Sequence, residues 1–277
     1  MLCASPDLAS RWADTLLPGL RSALENRRHG VFGWFKGTLA CHSALFAAGR
    51  HDEILALPER DRNALWDCLV WGGRVLVAHG RIDEAITYLK NLAGKHLPDG
   101  ALARFAEAAL LAAGRRDEAY ARHAIAANQA NTRIATYQTI AKKYPEIKAG
   151  RLLEELIAST PGEEGKWFAT ARSLKRYDLA IKLAWRSPCD PKTLLRAARD
   201  RLDEAPAFAA DAALAALHWM AAGYGYELTN LDALAARDRA LEAAARLGQT
   251  DPVRQHIERI LADPGPGIAW LRKVLGA

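Results

Sequence analysis

Residues Thr160–Phe168 read TPGEEGKWF, placing a Gly-Lys pair, two carboxylates and an indole within nine positions. A phosphate-cradling loop needs a glycine five residues ahead of the Gly-Lys pair and a Ser or Thr behind it. Thr160 and Trp167 hold those positions, so phosphate-loop chemistry is not expected. Pro161 and Gly162 instead suit a bend, with Glu163 and Glu164 complementing the positive end of a following helix. The doublets Glu154–Glu155 and Glu163–Glu164 fail as acid–base pairs, because neighbours on a helix point about 100° apart. The eight histidines form no H-E-x-x-H or H-x-E pattern, and no G-x-S-x-G elbow occurs. Cys3, Cys41, Cys68 and Cys189 form no C-x-x-C pair, so we expect no metal site, no cofactor and no disulfide framework. An unfamiliar enzyme site would have to gather Glu163, Lys166, Tyr224 and Tyr226 into one pocket.

Residues suited to binding are easier to find. In AANQANTRIATYQTI, Asn128, Gln129, Asn131 and Arg133 precede Tyr137, with Lys142 and Lys143 following. Amides and β-branched residues are weak helix formers, so their presence where alanine would serve carries a propensity cost. Either Asn131 caps a helix and the rest is solvated, or the stretch lines a recognition face. Lys166 and Trp167 are candidates to grip a partner's chain end. In AAGYGYELT, Gly223 and Gly225 permit unusual backbone angles beside Tyr224, Tyr226 and Glu227. Those tyrosines either pack between helices with one hydroxyl bonded or form part of a partner-binding surface. The stretch NRRHGVFGWFKG sets arginines beside Phe32, Trp34 and Phe35, suited to stacking on bases or to covering the end of a helical array.

The elements that would position these residues follow from a repeated phrase. AAGRHDE, AHGRIDE and AAGRRDE place Gly49, Gly80 and Gly114 at spacings of 31 and 34 residues. Glycine after an Ala/Leu-rich run ends a helix in the left-handed conformation. The aspartate three residues on is expected to cap the next helix, and the following glutamate favours that helix's positive end. Each copy therefore reads as one helical hairpin, at the period of a solenoid repeat. Weaker copies are expected at Tyr144-Pro145, with Pro145 in a first helical turn, and at Lys175–Asp178. Another is expected at Gly248, with Asp251 as cap and Pro252 at the first helical position. A less regular pair spans roughly Pro191–Asp203 and Ala205–Ala222. The expected fold is all-α: a right-handed α-solenoid of about seven antiparallel hairpins behind an N-terminal capping helix from about Pro6 to Glu25. We expect a single domain over 1–277, with an N-terminal helix in 1–30, regular hairpins in 31–190 and less regular ones in 191–277.

GRIDEAITYLKNL and GRRDEAYARHAI resemble the turn and second helix of tetratricopeptide repeats, with Ala85 and Ala119 at the small packing position. Gly73 suits that family's close-packing glycine, whereas Ile54 departs from the pattern. ANQANTRIATYQTIAKKYP, ASTPGEEGKWFATARS, SPCDPKTLLRAARD and AAGYGYELTNLDAL further resemble an uncharacterised bacterial family of helical-repeat proteins. Its members usually carry further N-terminal sequence. That resemblance implies a helical fold and a bacterial origin, and brings no reaction with it.

The net charge is +6, concentrated between Arg133 and Arg201, where 15 Lys/Arg face 8 Asp/Glu. Such a surplus suits an acidic partner, nucleic acid or a solvated helical face. No apolar run approaches the roughly 20 residues of a membrane helix, and the N-terminus lacks a signal-peptide pattern, so the expectation is cytoplasmic, with no membrane partner. The function expected is a non-catalytic scaffold that takes a protein or peptide, acidic in character, in a concave and centrally basic groove. Nucleic-acid binding through the 133–201 region is the alternative.

Overall fold

One turn, built six times, sets the course of the chain. The computed structural model describes residues 5–29, 31, 33–57, 65–92 and 97–276. Cys3 and Phe32 lie outside them. Among the described residues the fold is all-helical, with sixteen α-helices and no strand. Contacts divide the chain into two compact units, Met1–Gln129 and Ala130–Ala277.

The first unit holds α1 (Pro6–Arg28), α2 (Thr38–Ala47), α3 (His51–Ala56), α4 (Trp66–Ala78), α5 (Ile82–Leu92), α6 (Ala101–Ala112) and α7 (Arg116–Ala127). Each helix packs on the next in the chain, and α2 also meets α4. The small residues decide how closely. A Cβ on Gly73 would lie 2.5 Å from Leu89 Cδ1 and 2.9 Å from Phe105, so glycine there lets α4 approach both α5 and α6. Ala85 and Ala119 are fully buried at the matching position of their helices.

The second unit holds α8 (Arg133–Lys143), α9 (Ala149–Ala158), α10 (Phe168–Ser173), α11 (Tyr177–Arg186), α12 (Pro191–Arg201), α13 (Pro206–Ala221), α14 (Asn230–Arg246), α15 (Thr250–Ala262) and α16 (Ile268–Leu275). A short 3-10 turn over Glu164–Trp167 precedes α10. Helix α13 is apolar on nearly every side, with Ala209, Ala212, Ala213, Ala215 and Ala216 inaccessible to solvent. Such a helix is stable only when surrounded, and α11, α12, α14, α15 and α16 all pack against it. Its end is sealed by Gly265 and Gly267, where a Cβ would strike the carbonyl oxygens of Ala221 and Met220 at 2.4 and 1.9 Å.

The repeated turn explains the repeated phrase letter by letter. Gly49, Gly80 and Gly114 take φ of 71°, 76° and 74°. Arg50, Arg81 and Arg115 each donate their backbone N–H five residues back, to Leu45, Leu76 and Leu110, at 2.9 Å. The glycine N–H groups bond three residues back, which satisfies two carbonyls left over at the helix end. The same pair of bonds recurs at Lys175–Arg176, Gly223–Tyr224 and Gly248–Gln249. The side chains of Arg50 and Arg115 reach their own repeat and an earlier helix, and Arg81 bonds Glu84 of its own helix. Arg50 bonds Glu53 and Asp14, both at 2.5 Å. Arg115 bonds Glu118 at 2.7 Å and Asp83 of the preceding copy at 2.9 Å, and that guanidinium holds the Asp83 carboxyl below its usual range. Arg176 lies over Gly150, again in the preceding hairpin.

Several caps differ from expectation. Asp52, Asp83 and Asp117 lie within the first helical turn rather than capping it. The arginine turn already delivers the chain in helical register, so the aspartates remain available to pair sideways. Thr132 caps α8 in place of Asn131. Pro145 lies in the connection ahead of α9, not in its first turn. Asp251 lies inside α15, which starts at Thr250, so Pro252 is not the first helical residue.

Lys175, with φ of 57°, is the odd member of the six. A non-glycine residue in this region costs roughly 1–2 kcal/mol, part of which glycine returns through its freer unfolded chain. Lys175→Gly is therefore expected to stabilise the protein by about 0.5–1 kcal/mol in urea denaturation. A Cβ on Gly114 meets nothing within 4 Å, so Gly114→Ala isolates the backbone term. It is expected to cost about 1 kcal/mol.

Candidate functional site

Helix α4 carries two faces. Leu69, Gly72, Gly73, Val75 and Leu76 are buried, while Trp66, Val70, Arg74 and Val77 recur every three to four residues on the other side. Facing that second side, α6 presents Arg104, Phe105, Ala108 and Ala112, and α2 contributes Phe46. Together they line a groove of about 810 Å³ within the first unit. The alanines keep it open, because larger side chains at those positions would fill the space between α4 and α6. Trp66, Val70, Val77 and Phe105 are only half-buried, so apolar area remains available to a ligand.

Two exposed cations flank this surface. The Arg74 guanidinium rests 4.4 Å from the centre of the Trp71 ring, which fixes a side chain that would otherwise swing. Arg104 lies one turn from Ala108 on α6 and folds back toward Gly100. The arrangement can bury flat or branched apolar groups and hold a carboxylate, and it contains no nucleophile paired with a base. Elsewhere, desolvation pushes the buried thiols of Cys41 up to about 11 and of Cys189 up to about 12.

The residues singled out from sequence are distributed differently. Asn128 is buried at the end of α7, donating to the Glu107 carboxylate and to the Ala124 carbonyl, both at 2.7 Å. Gln129 is exposed and bonds the Ile125 carbonyl. Asn131 is exposed, Tyr137 is buried within α8, Lys142 is exposed and Lys143 half-buried. Asn128 and Tyr137 thus turn inward, each within its own unit, while Gln129, Asn131 and Lys142 remain exposed.

Arg133, Glu163, Lys166 and Trp167 do come together. Arg133 pairs with Glu163 and lies 5.4 Å from the Trp167 ring centre, and Lys166 bonds the same carboxylate at 2.6 Å. The two cations hold the Glu163 carboxyl below its usual range, Lys166 contributing most. Trp167 is buried and donates to the Thr160 hydroxyl at 2.8 Å, so its indole anchors the 3-10 turn instead of facing outward. Gly165 is required there, since a Cβ would lie 2.3 Å from the Ser187 carbonyl oxygen. Tyr224 packs edge-on against Trp219 at 5.4 Å. Tyr226 is 80 % exposed, so of the two tyrosines only Tyr224 packs on a helix. Glu227, with φ of 49°, offers its carbonyl to Lys192 at 2.8 Å. In the N-terminal stretch Trp34 is exposed, and Phe35 packs on Gly19 and Gly37.

Two features escaped sequence reading. The groove was signalled by the second stripe of α4, at Trp66, Val70, Arg74 and Val77, apolar except for the arginine. The other is a ladder of rings in the second unit: His256 on Trp185, Trp185 on His218, His218 on Trp219 and Trp219 on Tyr224, at 4.7–5.7 Å. Burial lowers the pKa of both His218 and His256. Among the described residues no helix is long and apolar enough to cross a membrane, and no three His, Cys, Asp or Glu cluster as metal ligands. No protein-family model, curated protein or solved structure matches the chain.

The ladder makes stability depend on pH. Burial disfavours the protonated forms of His218 and His256 in the fold, whereas the unfolded chain takes up their protons near pH 6.5. The stability they contribute is complete above that value and is lost as the pH falls towards their lowered folded pKa. Urea midpoints are expected to drop between pH 7.5 and 5.5, and the drop to shrink in a His218→Gln/His256→Gln variant. An equal drop in that variant would place the pH dependence elsewhere.

Proposed function

We propose that the chain is a non-catalytic interaction module whose helical hairpins stack in the manner of tetratricopeptide repeats. On this reading the α2/α4/α6 groove receives a short partner segment carrying bulky apolar residues and at least one carboxylate. The observation that carries it is the groove itself, an apolar floor with half-buried aromatics between two arginines that no carboxylate of the described residues pairs. A partner carboxylate would meet Arg74 and Arg104, with Asp67 the carboxylate of this chain that also lines the groove, and apolar side chains would gain the burial that Trp66, Val70, Val77 and Phe105 lack. The recurring turn, the nearest-neighbour helix packing of the first unit and the buried Gly73, Ala85 and Ala119 support the repeat reading.

The basic stretch from 133 to 201 is a weaker candidate. Arg133, Arg151, Lys166, Arg172, Arg186 and Arg201 each bond a carboxylate of this chain. Phosphates would have to compete with those partners for each of them.

A displayed library of random peptides, selected on the purified protein, tests the reading. Enriched sequences are expected to combine acidic and bulky apolar residues. Their affinity is expected to fall about tenfold or more in Val70→Asp and in Arg74→Glu, with the melting temperature unchanged because both positions face the groove. Peptides that bind both variants undiminished would refute the groove. Salt-sensitive oligonucleotide binding without any peptide selection would favour the nucleic-acid alternative.

A further inference from the structure

The turns of the first two hairpins bring together two histidines that lie 28 positions apart in sequence. His51 opens α3 immediately after the Gly49–Arg50 turn, and His79 is the residue that ends α4 ahead of Gly80. His51 Nδ1 and His79 Nε2 lie 2.9 Å apart, with ring centres at 4.9 Å and planes inclined by 54°. We propose that this pair is a two-imidazole site for a divalent transition-metal ion of the copper, nickel or zinc class, with water in the remaining positions.

The distance suits that role. Nitrogen ligands at about 2.0–2.1 Å from one metal, in neighbouring octahedral or tetrahedral positions, lie roughly 2.9–3.4 Å from each other. Imidazole is the ligand type these borderline ions prefer over calcium or magnesium. The backbone is also prepared for it. The His79 N–H bonds the Val75 and Leu76 carbonyls at 3.1 and 3.2 Å, which fixes its Cα at the helix end. The His51 ring rests against Phe46 at 5.3 Å, which limits its rotation. His79 is exposed and His51 half-buried, so solvent can reach a bound ion. Among the described residues no third His, Cys, Asp or Glu joins them. A site with two protein ligands binds more weakly and exchanges faster than a structural zinc site, and leaves positions that a carboxylate or imidazole from outside could take. Phe46 also lines the groove, so the pair sits beside the surface proposed above, although the metal site does not depend on that proposal.

The test uses the full chain without a histidine tag, stripped with a chelator and titrated by calorimetry with copper(II), nickel(II) and zinc(II). One equivalent is expected to bind, with copper tightest in keeping with the general order of divalent affinities. His79→Ala and His51→Ala are each expected to weaken it about tenfold or more, and His29→Ala to leave it unchanged. Metal and protons compete for the ring nitrogens, so binding is expected to weaken on acidification. The copper-loaded parent provides a readout independent of the variants, since its electron paramagnetic resonance spectrum is expected to carry hyperfine structure from two equatorial nitrogens. Absence of binding, or binding kept in both variants, would show that the two rings share a hydrogen bond and nothing more.

Discussion

The left-handed residue at the end of a helix is the constraint from which the rest follows. It lets the next N–H reach five residues back, and at every such end but Gly223 the chain re-enters a helix within two residues. Six helix ends in this protein use that device. Where an arginine follows, its carbonyl accepts the first bond of the new helix, as from Ala85, Ala119 and Ala180. The guanidinium groups of Arg50, Arg81 and Arg115 bridge the glutamate one turn on and, for Arg50 and Arg115, an aspartate of an earlier helix. Such exposed ion pairs each contribute little on their own. Their value here is geometric, because they tie the position of one turn to the next.

Small residues carry the second half of the design. Gly73 in the first unit and the alanines of α13 in the second do the same work, letting backbones approach where larger side chains would hold them apart. In α13 the consequence is a helix enclosed by five others. Between α4 and α6 the alanines have the opposite consequence, since nothing fills the space they leave, and a groove remains. The same residue type thus makes a core in one place and a surface in another, according to whether a neighbour arrives to cover it.

That difference also explains what the sequence could and could not reveal. The helices, their rough boundaries and the turns at Gly49, Gly80, Gly114 and Lys175 were legible, because helix termination is local chemistry. The capping role assigned to Asp52, Asp83 and Asp117 was not, since the partner of Asp83 is an arginine 32 residues away. Burial was harder still. Asn128 and Trp167 look like recognition residues in one dimension, yet each meets a polar partner inside its own unit. The His51–His79 pair and the ring ladder of the second unit depend on which turns and helices lie side by side, and no local pattern records that.

The turn geometry can be tested at four atoms. Amide hydrogen exchange, read by NMR on the native protein, reports on the backbone N–H groups of Arg50, Arg81, Arg115 and Arg176. Each is expected to be protected although it lies between helices, because each donates five residues back. Exchange at the rate of an open loop at these positions, with the flanking helices still protected, would contradict the shared turn and the repeat built upon it.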